Sequence, residues 1–330
     1  MANYLVTGGG GFIGSNLVEH LLARGDSVRV LDDFSTGRHE NLADFFSKID
    51  LIEGDLRDAE ICARAVADMD YVLHQAAVPS VPRSVADPMR SHDVNVTGLL
   101  NLLAAARDAH IKRFVFASSS SVYGDQAVDV KSENLRLNPM SPYAASKAAG
   151  EHYVRAFSLC YGMEAVSLRY FNVFGPRQDP NSPYSAVIPL FIKAMLEGRA
   201  PTVHGTGEQA RDFTYVENNV RANILAATAD FEAKGQAYNI ACGASYSILD
   251  LVKHIGAVLG VEPLPHFAPA RVGDVRVSKA DIARAQHDFD YQVSVKFEEG
   301  LKRTVDWYST FFSRGKGVSF GNKVAKKSGQ

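Results

Sequence analysis

Eight residues near the start of the chain, Thr7-Gly8-Gly9-Gly10-Gly11-Phe12-Ile13-Gly14, constrain its fold more than any other feature. They lie directly between a strand-like run, Tyr4-Leu5-Val6-Thr7, and a helical pattern from Ile13 to Ala23. A strand that passes through close-set glycines into a helix is the opening unit of a dinucleotide-binding α/β fold. In that reading Gly8 allows a tight turn, Gly11 lets the backbone approach a pyrophosphate, and Gly14 lets helix pack on strand. Phe12 and Ile13 then begin a helix whose free N–H groups and positive dipole end suit phosphates.

Asp32 and Asp33 close the next strand-like run, Val28-Arg29-Val30-Leu31. An acid about twenty residues after the glycines hydrogen-bonds the ribose 2′-OH and repels a 2′-phosphate, which favours NAD over NADP. Arg38 nearby works against that preference, and both acids also suit the opening of the turn Phe34-Ser35-Thr36-Gly37. Asp55-Leu56, after a third run at Asp50-Leu51-Ile52-Glu53, is placed to border the adenine.

Further runs at Tyr71-Val72-Leu73-His74, Arg113 to Ala117 and Glu164 to Arg169 alternate with helical patterns from about Met89 to Ala109 and after Pro142. That alternation predicts a doubly wound parallel (Rossmann) α/β sheet with helices on both faces. Residues 1–172 form the expected NAD-binding domain, with segments near 211–241 returning to it; Phe213 to Val216 and Tyr238 to Ala241 read as edge strands. Pro176, Pro180, Pro183, Pro189 and Pro201 interrupt the chain beyond Asn172, so residues 173–312 read as a smaller C-terminal α/β substrate lobe. From Ser313 to Gln330 the chain carries Arg314, Lys316, Lys323, Lys326 and Lys327 with no acid, the composition of a disordered basic tail.

The 35 basic and 37 acidic side chains nearly cancel, so no global field draws this chain to nucleic acid. Cys62, Cys160 and Cys242 are odd in number and far apart, which suits reduced thiols better than a disulfide framework or a metal site. With no basic leader and no membrane-length apolar run, a soluble cytoplasmic protein is expected.

Tyr143-Ala144-Ala145-Ser146-Lys147 sets a phenol and an ammonium four residues apart, on one helix face. A free tyrosine titrates near 10; a neighbouring cation favours its phenolate and makes it a usable base. Ser118 to Ser121 come after a strand and should line the cleft at the sheet's carboxyl edge, as a proton relay or as a capped turn.

These motifs together resemble the extended short-chain dehydrogenase/reductases, and more narrowly the UDP-hexose 4-epimerases, over roughly residues 1–312. The glycine turn, the serine run ending Val122-Tyr123-Gly124, and Tyr143 with Lys147 carry the likeness. Arg169-Tyr170-Phe171-Asn172, Arg211-Asp212-Phe213 and Arg271-Val272-Gly273-Asp274 occur in the family's order. Ser80-Val81-Pro82-Arg83-Ser84, Arg177-Gln178-Asp179-Pro180 and Gly273-Asp274-Val275-Arg276 are similar to the UDP-N-acetylglucosamine 4-epimerase branch.

The resemblance implies roles position by position. Tyr143 is the base, Ser119 the catalytic hydroxyl with Ser120 beside it, and Lys147 holds the nicotinamide ribose, with Asn95 bonded nearby. Gln75, Ala76, Ala77, Ala117 and Tyr170 join the glycine turn and Ser35, Thr36 and Gly37 around the cofactor. Asn172, Arg211 and Arg271 meet the substrate diphosphate; Thr202, Val203 and His204 run along the uracil. Ser80, Ala186, Val187, Asp274 and Ser278 complete the substrate pocket.

The implied reaction is 4-epimerisation through a 4-keto sugar nucleotide, with NAD tightly held and unchanged overall. UDP-N-acetylglucosamine and UDP-N-acetylgalactosamine are the implied pair, together with UDP-glucose and UDP-galactose, because Ser278 replaces the tyrosine of glucose-restricted epimerases. Sibling 4,6-dehydratases carry an Asp-Glu pair after the catalytic hydroxyl, and UDP-glucuronate decarboxylases a Glu, where this chain has Ser120 and Ser121. A non-catalytic NAD-sensing protein would need neither Tyr143 nor Lys147. The family also implies a homodimer through a four-helix bundle, although Val94, Leu99, Leu102 and Leu103 equally suit an intrachain core.

Overall fold

The computed structural model describes residues 1–180, 186–270 and 277–316. Seven strands make one parallel sheet, in the order Ala237–Ile240, Ala165–Tyr170, Arg113–Ser119, Tyr71–His74, Asn3–Thr7, Ser27–Asp32, Asp50–Glu53. Both faces are covered, so the inner strands are mainly apolar, and their period of two sorts side chains between two cores. Tyr4, Val6, Val28 and Val30 pack on the face of helices Phe12–Ala23 and Val216–Thr228. Leu5, Leu31, Phe114 and Phe116 pack on the face of Ala59–Val66, Gly98–Asp108 and Pro142–Tyr161. The chain order reverses at Asn3–Thr7, which pairs with the second strand on one side and Tyr71–His74 on the other. Ligands of open α/β sheets bind in the crevice at such a point.

Six of the expected strands and the Tyr238 return all join this sheet. The segment from Phe213 to Val216 does not: Thr214–Tyr215 pairs instead with Val173–Phe174 in a separate ladder. Ala237–Ile240 occupies the edge it would need. Phe213 and Tyr215 are held elsewhere by Phe174, with ring centroids 6.4 and 5.7 Å from it, and Phe213 also by Phe297 at 5.7 Å. A further four-stranded sheet, Tyr246–Ser247, Ala210–Arg211, Val277–Ala280, Val130–Lys131, takes three strands from the second half of the chain and Val130–Lys131 from the first.

The helix expected from Met89 to Ala109 divides into Pro88–His92, a π-helical turn Asp93–Thr97, and Gly98–Asp108. The wide turn directs Asn95 inward, where it is buried; such turns recur at functional sites. Leu99, Leu102 and Leu103 are intrachain core, and Val94 borders the cleft at the glycine turn. At the other end, helix Phe297–Lys316 is carried past Ser313 by stacked Trp307–Phe311 and Tyr308–Phe312 rings. Ser313 is therefore helical rather than the start of a tail, and Lys323, Lys326 and Lys327 lie outside the described residues.

His74 sits beneath the glycine turn, fully buried, with Nδ1 2.7 Å from the Thr7 hydroxyl and its ring stacked on Phe116 at 5.8 Å. Burial, aided by the charge of Lys147, pushes its pKa from 6.5 down to about 3. The unfolded chain takes up this proton near 6.5 and the native one only near 3. Stability from neutral His74 is therefore lost as pH falls through that window, by about 1.4 kcal/mol per pH unit. Urea unfolding across the window should show that slope, reduced by one proton in His74→Gln.

Candidate functional site

The crevice at the reversal point is a cleft of about 380 Å³. Gly8 turns the chain out of the first strand with φ +71°, and a Cβ there would lie 2.7 Å from Ala76 N. A Cβ on Gly14 would lie 2.1 Å from the Gly8 carbonyl oxygen. Gly11 is the N-cap of Phe12–Ala23 and offers no side-chain acceptor, so the first-turn N–H groups border the cleft without a cap. Asp32 is buried and accepts N–H bonds from Gly10 and Phe34, both at 2.8 Å; burial raises its pKa against those bonds. Asp33 is exposed and accepts from Ser35 N and Oγ. Both line the cleft with Ser35, Thr36, Gly37, Asp55, Leu56, Gln75, Ala76, Ala77, Ala117 and Tyr170. Arg38, which weighed against a free 2′-OH, gives its guanidinium to Asp179 at 2.8 Å.

Tyr143 and Lys147 rise from helix Pro142–Tyr161, started by proline and capped by Ser141, whose Oγ accepts from Ala144 N at 3.1 Å. Lys147 is buried and donates to the Ala117 carbonyl at 2.8 Å, its Nζ 5.9 Å from the Tyr143 ring centroid. Burial pushes its ammonium down to about 8, opposed by the Glu151 carboxylate. Burial raises the Tyr143 phenol, and a side-chain hydrogen bond with Ser119 pulls the other way. In the protein alone burial outweighs the Ser119 hydrogen bond, so the phenol is not brought toward neutral pH. Ser119 also caps the turn Ser120–Tyr123, accepting from Ser121 N at 3.2 Å, so the capping and relay readings describe one hydroxyl. Asn95 donates to Ser146 Oγ at 3.1 Å, next to Lys147 but behind the cleft wall.

A second cleft, of about 670 Å³, adjoins the first at Ala186. Asn172, Val187, Thr202, His204 and Arg211 line it as expected. Val203 does not: strand alternation turns it into the core, fully buried. Ser80 caps helix Val81–Ala86, and Ser80, Ser119 and Ser120 fall outside the linings of both clefts, although Ser119 reaches the cleft-lining Tyr143 by a hydrogen bond. Ser278 is also outside those linings, but it pairs in register with Arg211 across parallel strands, so both point to one sheet face. Arg271 and Asp274 lie outside the described residues.

Sequence reasoning missed several groups. Arg177, Gln178 and Asp179 reach the first cleft, and Lys193 and Arg199 the second. Tyr170 is held by Gln75 and by Asn223, a helix residue carrying no local motif. The Arg-Gln-Asp-Pro run was the only signal for any of them, and it pointed to a family branch rather than a cleft.

Residues 4–241 match the NAD dependent epimerase/dehydratase family. A UDP-glucose 4-epimerase of Mycolicibacterium smegmatis is 39% identical over 308 residues, covering 92% of this chain and 97% of that protein. A UDP-N-acetylglucosamine 4-epimerase of Methanobrevibacter ruminantium, solved with UDP-N-acetylmuramic acid, superposes with TM-score 0.89 at 42% identity, covering 94% and 99% of the chains. The UDP-glucose 4-epimerase of Thermotoga maritima, solved with UDP-glucose, gives TM-score 0.89 at 36% identity, covering 94% and 99%.

The turn supplies a direct test. Gly14→Ala drives a methyl group into the backbone at Gly8, and overpacking of this kind costs about 1–3 kcal/mol. Calorimetry should show NAD affinity lowered roughly tenfold or more; unchanged affinity would refute the role given to this contact.

Proposed function

The chain belongs to the NAD dependent epimerase/dehydratase family, and from that premise we propose that it is a UDP-hexose 4-epimerase. Its proposed substrates are UDP-N-acetylglucosamine and UDP-N-acetylgalactosamine, with UDP-glucose and UDP-galactose also turned over. The observation that supports this reading is that Tyr143, with Ser119 hydrogen-bonded to its phenol, and Lys147 line the dinucleotide cleft, which shares Ala186 with the cleft bearing Arg211.

NAD is the cofactor; bound in this cleft, it would supply a reversible hydride acceptor for the sugar C4. The cleft suits it: the uncapped start of helix Phe12–Ala23 matches a pyrophosphate, and the Asp32 carboxylate opposes a 2′-phosphate. Tyr143 takes the 4-hydroxyl proton as the 4-keto sugar forms and gives it back on reduction, with the Ser119 hydroxyl orienting the exchange. Lys147 is the cation that favours the phenolate. The 4-keto sugar has to present its other face, so the diphosphate must be held while the sugar turns. That Arg211 and Asn172 both line the second cleft supports their holding it; a guanidinium matches diphosphate oxygens with paired donors. Arg271, carried over from the family, would be the second grip. The Arg38–Asp179 pair, joining two segments of the cleft lining, supports tight retention of the cofactor.

Neutral Ser120 and Ser121 stand where dehydratases and decarboxylases of the fold carry acids, which favours epimerisation. Met89, Tyr153 and Leu159 are exposed on the two long helical stretches and support a homodimer through them. Among the described residues no helix is long and apolar enough to cross a membrane, and the three cysteines are unpaired; a cytoplasmic enzyme is the matching proposal.

Tyr143→Phe should lower kcat by about a hundred- to ten-thousand-fold, read by NMR of the 4-epimers; a near-normal rate would remove Tyr143 as the base. Ser278→Tyr should abolish turnover of UDP-N-acetylglucosamine while sparing UDP-glucose. Equal rates on both substrates in that variant would end the gate assignment.

A further inference from the structure

The helix face that carries Tyr143 and Lys147 continues one turn further to Glu151, which is buried and takes no part in the proton and hydride transfers. Its carboxylate receives Arg169 in bidentate fashion, Nε at 2.9 Å and Nη2 at 2.6 Å. It also receives the hydroxyl of Ser118 at 2.5 Å. Arg169 passes Nη1 to the Tyr123 hydroxyl at 2.8 Å, which donates to Asn239 at 2.7 Å. Ser118 is the middle residue of the strand terminus Ala117–Ser118–Ser119. The residue before it offers the carbonyl that holds Lys147, and the residue after it carries the hydroxyl bonded to Tyr143.

We propose that Glu151 is a positioning residue for the reactive trio. By gripping Ser118 it fixes the strand terminus that presents Ala117 O to Lys147 and Ser119 Oγ to Tyr143. Arg169 in turn fixes Glu151 from the neighbouring strand, Ala165–Tyr170. The charged and titratable groups around it are Lys147 on its own helix, Arg169, and Tyr123 from the turn after Ser119; His74 faces Lys147 from the next strand. The carboxylate also stabilises the Lys147 ammonium through space. The inference rests on Tyr143 being the base, so its test includes a readout independent of turnover.

Ser118→Ala cuts the grip while leaving Glu151 and Arg169 paired, so the fold should survive. Removing Glu151 alone strands a buried guanidinium and endangers folding; Glu151→Gln with Arg169→Met removes the pair together. In the NAD-loaded protein both variants should lower kcat roughly ten- to a hundredfold through misplacement, with KM for the UDP-sugar unchanged. The phenolate of Tyr143, read at 295 nm as the difference from matched Tyr143→Phe proteins, should titrate at higher pH in both. Folded variants with wild-type kcat and an unmoved phenolate titration would overturn the proposal. If the wild type turned over no UDP-sugar, the functional reading would fall, and a moved titration would still uphold the positioning role.

Discussion

A Cβ at position 14 would stand 2.1 Å from the carbonyl oxygen of Gly8, and much of this molecule depends on that approach being made by a residue without one. The contact lets helix Phe12–Ala23 begin immediately over the end of the first strand. The helix start and its uncapped N–H groups therefore point at the crevice where the sheet reverses. Gly8 meets the next strand's exit in the same way, against Ala76. Two close backbone approaches thus bring the turn, the second strand's acids and the Gln75–Ala77 segment to one wall.

The opposite wall is built by charge burial. Lys147 is kept in the interior by a single carbonyl, with Glu151 below it and neutral His74 facing it. Desolvation lowers the lysine to about 8 and raises Tyr143. The protein by itself thus holds the pair as an ammonium of lowered pKa, still mostly protonated at neutral pH, and a protonated phenol. A positive charge added beside them on cofactor binding is what such a pair lacks for base chemistry.

Legibility in the sequence tracked the range of the interactions concerned. Glycine spacing, the acids after Leu31, and a phenol four residues before a lysine are local patterns, and each lies at its expected cleft. The alternation of strand-like and helical runs predicted the parallel sheet but misjudged Thr214–Tyr215, because an aromatic cluster with Phe174 and Phe297 and an already occupied sheet edge outweigh propensity. Val203 was grouped with Thr202 and His204 as though adjacent residues shared a surface; in a strand they do not.

The alternation of strands and helices, the phosphate-binding turn and the spacing of Tyr143 and Lys147 were determined by sequence alone, since each depends on local patterns along the chain. Only the tertiary structure decided that Arg38 meets Asp179, that Asn223 steadies Tyr170, and that Glu151 holds Ser118 between two parts of the reactive trio. These partners lie on different elements, and no local periodicity records which buried charge will face which. For Glu151, desolvation enforces the pairing with Arg169 once the chain is packed, because a buried carboxylate or guanidinium left alone is strongly destabilising.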